Sequence, residues 1–105
     1  MFGFSTVSVS GSSMSPAYNQ GDWLLVRSVS GQRHTLKVGE VYLIQDPNRE
    51  GVKLIKRLTQ ARTEQGVTRY WLEGENKEST DSRSWGWLTR DQFLGKVVLK
   101  YRKGN

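Results

Sequence analysis

Apolar residues in this chain come in short runs separated by turn residues, and no run is long enough to build an extended amphipathic helix. The runs are rich in Val, Ile, Leu, Trp and Tyr, side chains that suit a pleated, half-buried surface. Residues 6–10 alternate Thr-Val-Ser-Val-Ser with a period of two. Residues 23–26 and 41–44 are compact apolar runs, the second entered through Lys37-Val38-Gly39-Glu40. Residues 52–59 alternate over a longer stretch, and residues 67–72 follow Gln65-Gly66, a turn signal that predicts a hairpin back onto them. Residues 97–101 close the set. At most, residues 89–93 predict one helical turn, with Thr89 as its N-cap. The pattern predicts an all-β fold of six to eight strands: a small, strongly bent sheet or partial barrel of short, mostly antiparallel strands. A length of 105 residues fits one domain over residues 1–105.

Composition removes several chemistries. There is no cysteine, so disulfides, thiolate metal sites and cysteine nucleophiles are excluded. Sixteen Lys and Arg against ten Asp and Glu give a net charge of +6. The basic residues are spread along the chain, as on a solvated basic face, with a mild cluster at Lys100, Arg102 and Lys103. No apolar run approaches the ~18–20 residues that span a bilayer. Residues 1–9 carry Phe2, Phe4, Val7 and Val9 but lack the charged and apolar regions of a secretory signal. The expectation is a cytoplasmic protein without a transmembrane segment. Membrane association is the alternative, through peripheral contact at Phe2 and Phe4.

The most informative side chain is a lysine. Strand alternation through Val52-Lys53-Leu54-Ile55-Lys56-Arg57-Leu58-Thr59 puts Val52, Leu54, Lys56 and Leu58 on one face. Lys56 thus lies in the middle of the most apolar row in the chain. Two states suit such a residue. Its ammonium can snorkel to water at a sheet edge. Alternatively, desolvation lowers its pKa until the neutral amine serves as a general base.

A base needs a nucleophile. Ser10-Gly11-Ser12-Ser13-Met14-Ser15-Pro16 leaves the first strand through glycine and ends at proline, a turn that can present a hydroxyl and let a substrate backbone come close. Backbone N–H groups in such a turn can stabilise an oxyanion. The single histidine, His34, sits in the polar stretch Gly31-Gln32-Arg33-His34-Thr35 with no acid nearby to orient it, which leaves lysine as the natural activator. In the polar segment 74–86, Asp81 and Arg83 can pair, and a hydroxyl there can hold the lysine amine.

Taken in order, these three pieces resemble the type I signal peptidase family of Ser–Lys leader peptidases, over most of the chain from about Val9. Gly11-Ser12-Ser13-Met14-Ser15-Pro16 with Gly21-Asp22 resembles the nucleophile box, which implies Ser13 as nucleophile beside Met14. Leu54-Ile55-Lys56-Arg57 resembles the general-base box, which implies Lys56. Gly74-Glu75-Asn76, then Ser79-Thr80-Asp81-Ser82-Arg83 and Trp85-Gly86, resemble the third box. There Ser79 matches the serine that hydrogen-bonds the lysine, and Asp81 and Arg83 match a structural ion pair. Phe93-Leu94-Gly95-Lys96-Val97 resembles the ending that follows.

Three positions depart from the pattern. Glu75 replaces an aspartate, Ala17-Tyr18 follows Pro16, and Gly11 stands where some members carry an oxyanion-binding serine. The last change implies an oxyanion hole of backbone N–H groups, chiefly that of Ser13, with Gly11 and Met14 at the substrate approach. The resemblance implies removal of a leader from a protein substrate after small residues, with no metal or cofactor. The short form is similar to the subgroup described as nickel-type superoxide dismutase maturation proteases. A signal peptidase catalytic domain lacking its anchor is the alternative.

Other functions fit parts of the chain. Self-cleaving SOS-type repressors share the Ser–Met turn and the lysine strand but lack the Asp81-Ser82-Arg83 loop. A basic β domain with Trp23, Trp71, Trp85 and Trp87 can bind single-stranded nucleic acid by stacking, although the three boxes make a nucleic-acid partner unexpected. An inactive relative used for binding would not need Ser13, Lys56 and Ser79 intact.

Overall fold

The computed structural model describes residues 3–11, 14, 15, 17–29, 35–77 and 79–102. Phe2, Ser12, Ser13, His34 and Lys103, all singled out above, lie outside the described residues.

The fold is all-β, as the alternation predicts. Six strands run β1 (Phe4–Ser8), β2 (Asp22–Ser28), β3 (Val41–Gln45), β4 (Lys53–Glu64), β5 (Val67–Glu73) and β6 (Phe93–Arg102). They form one open sheet in the order β1-β2-β6-β3-β4-β5, with every neighbouring pair antiparallel. Register shifts at Leu25/Val26, Leu43/Ile44 and Leu58/Gln60 mark places where the ladder is irregular. Such bulges bend and twist a sheet, so a single sheet can fold over its own core.

Alternation gives this sheet two apolar faces. Tyr42, Ile44, Leu58, Leu72 and Phe93 join Val29, Tyr70 and Leu88 on one side. Leu43, Leu24, Val26 and Val9 gather on the other, with Ile55, Leu94 and Val97 against them. Strand β3 feeds both clusters, and its residues 41–44 are all buried. This explains why that segment reads as an unbroken apolar run.

The β4–β5 hairpin turns at Gln65-Gly66, both at positive φ (53° and 79°), as the two-residue turn between Glu64 and Val67 requires. Two short helical pieces complete the chain: α1 (Ser82–Trp85) and a 3-10 turn at Arg90–Gln92. Thr89 does occupy the N-cap of the 3-10 turn, but it makes no side-chain capping bond there. Its hydroxyl instead donates to the Asp91 carboxylate.

The polar segment after β5 has a structural task along the sheet edge. The outward N–H groups of Tyr70 and Leu72 in β5, and of Gly74 just beyond it, find acceptors there. Tyr70 N–H donates to Leu88 O (2.9 Å), Leu72 N–H to Ser82 Oγ (2.9 Å), and Gly74 N–H to Asp81 Oδ2 (2.8 Å). Residues 81–88 thereby cover the C-terminal part of an edge that would otherwise be open to another chain. The opposite edge, β1, pairs only with β2.

Candidate active site

Lys56 stands on β4 between Leu54 and Leu58, directly across from Tyr42, and is 1% exposed. The row read from the sequence is therefore real, and the lysine is buried within it rather than snorkelling to water. Burial lowers its pKa from the ordinary lysine value; the charge of Asp81 opposes this, Arg83 adds to it, and Asp46 opposes it. A buried amine shifted this way sheds its proton more readily than a free lysine does.

The carboxylate that Lys56 feels most, Asp81, is fully buried and tightly held. Arg83 donates from Nε to Oδ1 (2.9 Å) and from Nη2 to Oδ2 (2.6 Å), a two-pronged pair. Asp81 also accepts from Gly74 N–H, Arg83 N–H and the Ser79 hydroxyl (3.1 Å). Burial pushes this carboxyl up, but the hydrogen bonds from Arg83, Gly74 and Ser79 outweigh it and hold the pKa at about 2. Asp81, Arg83 and Ser79 thus form one bonded cluster, and Asp81 and Arg83 act on Lys56 through their charges.

Two participants were missed in the sequence. Asp46, at the end of β3, is 4% exposed and also acts on Lys56. Burial raises its pKa, yet the bonds from Asn48 N–H and the Arg49 side chain and N–H prevail and lower it. The signal was present in Asp46-Pro47-Asn48, an Asx-type turn opening. The second is Arg57, next to Lys56, which donates from Nε (3.0 Å) and Nη2 (2.7 Å) to Glu75 Oε1 and from Nη1 to Gly39 O. It ties the start of the third box to the lysine strand.

The serine-rich turn is anchored at its base. Val9 N–H donates to Asp22 O and Gly21 N–H returns to Val9 O, so residues 9–21 leave and rejoin the sheet at one point. Inside, Tyr18 N–H donates to Met14 O (2.8 Å), Ser15 Oγ to Asn19 Oδ1 and Asn19 N–H to Asp22 Oδ2. Lys100 reaches across from β6 to Ala17 O (2.8 Å) and lies over the Tyr18 ring. Met14 is buried, and Gly11 takes a positive φ (85°) that a side-chain-bearing residue would adopt only with strain.

A cavity of about 190 Å³ opens between this turn and β4. Its walls are Val7, Ser8, Val9, Ser10, Gly11 and Met14 on one side and Leu43, Lys53, Leu54 and Ile55 on the other. Gly11 and Met14 therefore line one cleft with Leu54 and Ile55, while Lys56 is not among its lining residues. Ser13 itself lies outside the described residues.

Residues 1–61 match the family described as Signal peptidase, peptidase S26. The chain belongs to the signal peptidase family. The matched segment carries both the turn around position 13 and the Lys56 strand, while the 74–86 segment follows it. No curated protein matches the chain. Among the described residues of this signal peptidase relative, no group of three His, Cys, Asp or Glu side chains comes together as a metal site, and no helix is long and apolar enough to cross a membrane.

Proposed function

We propose that this protein is a serine endopeptidase in which Ser13 is the nucleophile and Lys56 the general base, and that it removes a leader segment from another polypeptide. The observation that carries the reading is the shared cleft: Gly11 and Met14 line it from one side and Leu54 and Ile55 from the other. Lys56 is the next residue along β4 and is buried, although its side chain takes the face opposite Ile55 and does not itself line the cavity.

The neutral amine takes the proton of Ser13 Oγ as the oxygen attacks the scissile carbonyl carbon. Backbone N–H groups at the turn, chiefly that of Ser13, stabilise the oxyanion. Lys56 passes its proton to the leaving amine, which departs with the C–N bond. Water then attacks the acyl-enzyme with Lys56 again as base, which regenerates Ser13. Ser79, whose hydroxyl donates to Asp81, is the residue the family resemblance assigns to orienting the lysine amine. The substrate lies along the open edge of β1 as an added strand, its backbone giving affinity and the small cavity selecting compact side chains before the cut.

The test is mass-spectrometric mapping of cuts in a diverse peptide library at pH 7–9, for the wild type, Ser13→Ala and Lys56→Ala. Cuts lost in both variants are expected, with small residues before the scissile bond. Cuts that persist in either variant would overturn the assignment. The narrower reading, removal of the short leader of nickel-type superoxide dismutase, is checked with that precursor as substrate: release of the leader by wild type alone is expected, and an intact precursor rejects it.

A further inference from the structure

The far end of the β4–β5 hairpin lies outside the cleft and outside either core. From Gln60 to Arg69 its side chains are exposed almost throughout, the register placing Gln60 opposite Trp71, Arg62 opposite Arg69, and Glu64 opposite Val67 on one face. Trp87 folds up against this face. It meets Trp71 edge to face (5.2 Å) and takes the Arg62 guanidinium over its ring (5.9 Å). Arg62, Glu64, Gln65, Val67, Arg69 and Trp87 together line an open concavity of about 850 Å³. Arg62 is six residues beyond Lys56 on β4, about 20 Å along an extended strand.

Two features of this concavity point to a ligand. First, like charges placed directly opposite on neighbouring strands destabilise a hairpin, and Arg62 and Arg69 are so placed. Arg62 has Glu64 at 3.6 Å, whereas among the described residues no carboxylate pairs with Arg69. An external anion would relieve that repulsion, and a guanidinium binds carboxylates in a fixed two-pronged geometry. Second, the floor is apolar: Trp87 lies beside Val67, which is half exposed. A ligand with carboxylates beside apolar side chains matches both features. A phosphate backbone matches less well, because Glu64 leaves the concavity an excess of only one positive charge.

We propose that this face of the hairpin docks an acidic polypeptide segment, with its carboxylates on Arg62 and Arg69 and an apolar side chain on Trp87 and Val67. The site is separate from the Ser13–Lys56 reading and is tested without peptidase activity. The probe is a fluorescein-labelled peptide alternating Glu with Leu and Gly, titrated into the full chain at low salt and followed by anisotropy. Arg62→Ala/Arg69→Ala should weaken binding about tenfold, the loss expected when two guanidiniums leave a partly desolvated contact. Lys37→Ala/Lys77→Ala, which removes the same charge from exposed positions elsewhere, should change it less than about twofold. The proposal fails if the peptide does not bind, or if both double variants weaken it equally, which would mean general attraction to a basic surface. It also fails if a single-stranded oligonucleotide of equal charge binds more tightly through the same arginines.

Discussion

Tyr42 and Lys56 face each other across the β3–β4 ladder, and each is 1% exposed. The tyrosine hydroxyl is engaged elsewhere, accepting Lys37 N–H (2.8 Å), and its ring packs edge-on to Phe93 (5.2 Å). The lysine thus has an aromatic neighbour across the strand where an ion-paired lysine would have a carboxylate. An amine so placed gives up its proton more readily than a solvated lysine, and the neutral form is the one a general base needs.

A pH dependence follows. Burial lowers the Lys56 pKa, so kcat/KM should climb with pH and level off below the ordinary lysine value of 10.5. Arg83→Ala should move that rise to higher pH. Arg83 lowers the lysine pKa, and its loss leaves the opposing charge of Asp81 unpaired, so both effects act in the same direction. A pH–rate profile of the two proteins checks this, and an unmoved rise would remove Arg83 and Asp81 from the electrostatics of the base.

Lys56→Met should abolish cleavage and stabilise the fold at neutral pH by about 1–3 kcal/mol, because a buried charge gives way to an apolar chain of similar length. With the folded pKa depressed, the unfolded chain binds the extra proton. The penalty is therefore complete below the folded pKa and vanishes as pH rises through 10.5. Urea melts at pH 7 and pH 10 should show the wild type closing the gap on the variant at the higher pH.

Asp81 carries the opposite linkage. Its pKa is about 2 against an ordinary 3.8, so its stabilisation is present above pH 3.8 and disappears as pH falls toward 2. That shift corresponds to about 2 kcal/mol. Asp81→Asn should flatten the stability profile across this acid window. Asp81→Ala should cost about 2–4 kcal/mol at pH 7, since it leaves the Gly74 N–H at the β5 edge without its acceptor.

Gly95→Ala should destabilise the sheet by about 1–3 kcal/mol without touching the cleft. A Cβ there would overlap Val26 Cγ1 and come within 3.0 Å of Arg27 O, where β6 packs against β2. Thermal denaturation measures it; a wild-type midpoint would mean the two strands can part at no cost.

Short apolar runs and period-two alternation between turn residues located every strand, β2 and β3 by their compact apolar runs and β4 by its alternation, since both patterns are local. Boundaries were less legible. Strand β4 continues to Glu64 and β6 begins at Phe93, because pairing with β5 and β3 extends segments whose own residues are polar or mixed. The polar segment 74–86 reads as a loop, yet Asp81 and Ser82 within it, and Leu88 just beyond, serve as acceptors for Gly74, Leu72 and Tyr70 along the β5 edge upstream. Nothing local in the sequence encodes that pairing.

By itself the sequence determined the all-β class, the Gln65-Gly66 hairpin and the position of Lys56 in an apolar row, all consequences of short-range stereochemistry. It also carried the resemblance to the signal peptidase family, which the family match over residues 1–61 supports. Only the tertiary structure decided that this row is covered, so that Lys56 is desolvated rather than snorkelling, and that Asp46 and Asp81 act on it from separate segments. Burial and electrostatic environment depend on which distant segments stack over a strand, and that is settled by strand order and bulges in the folded sheet rather than by the residues of β4 alone.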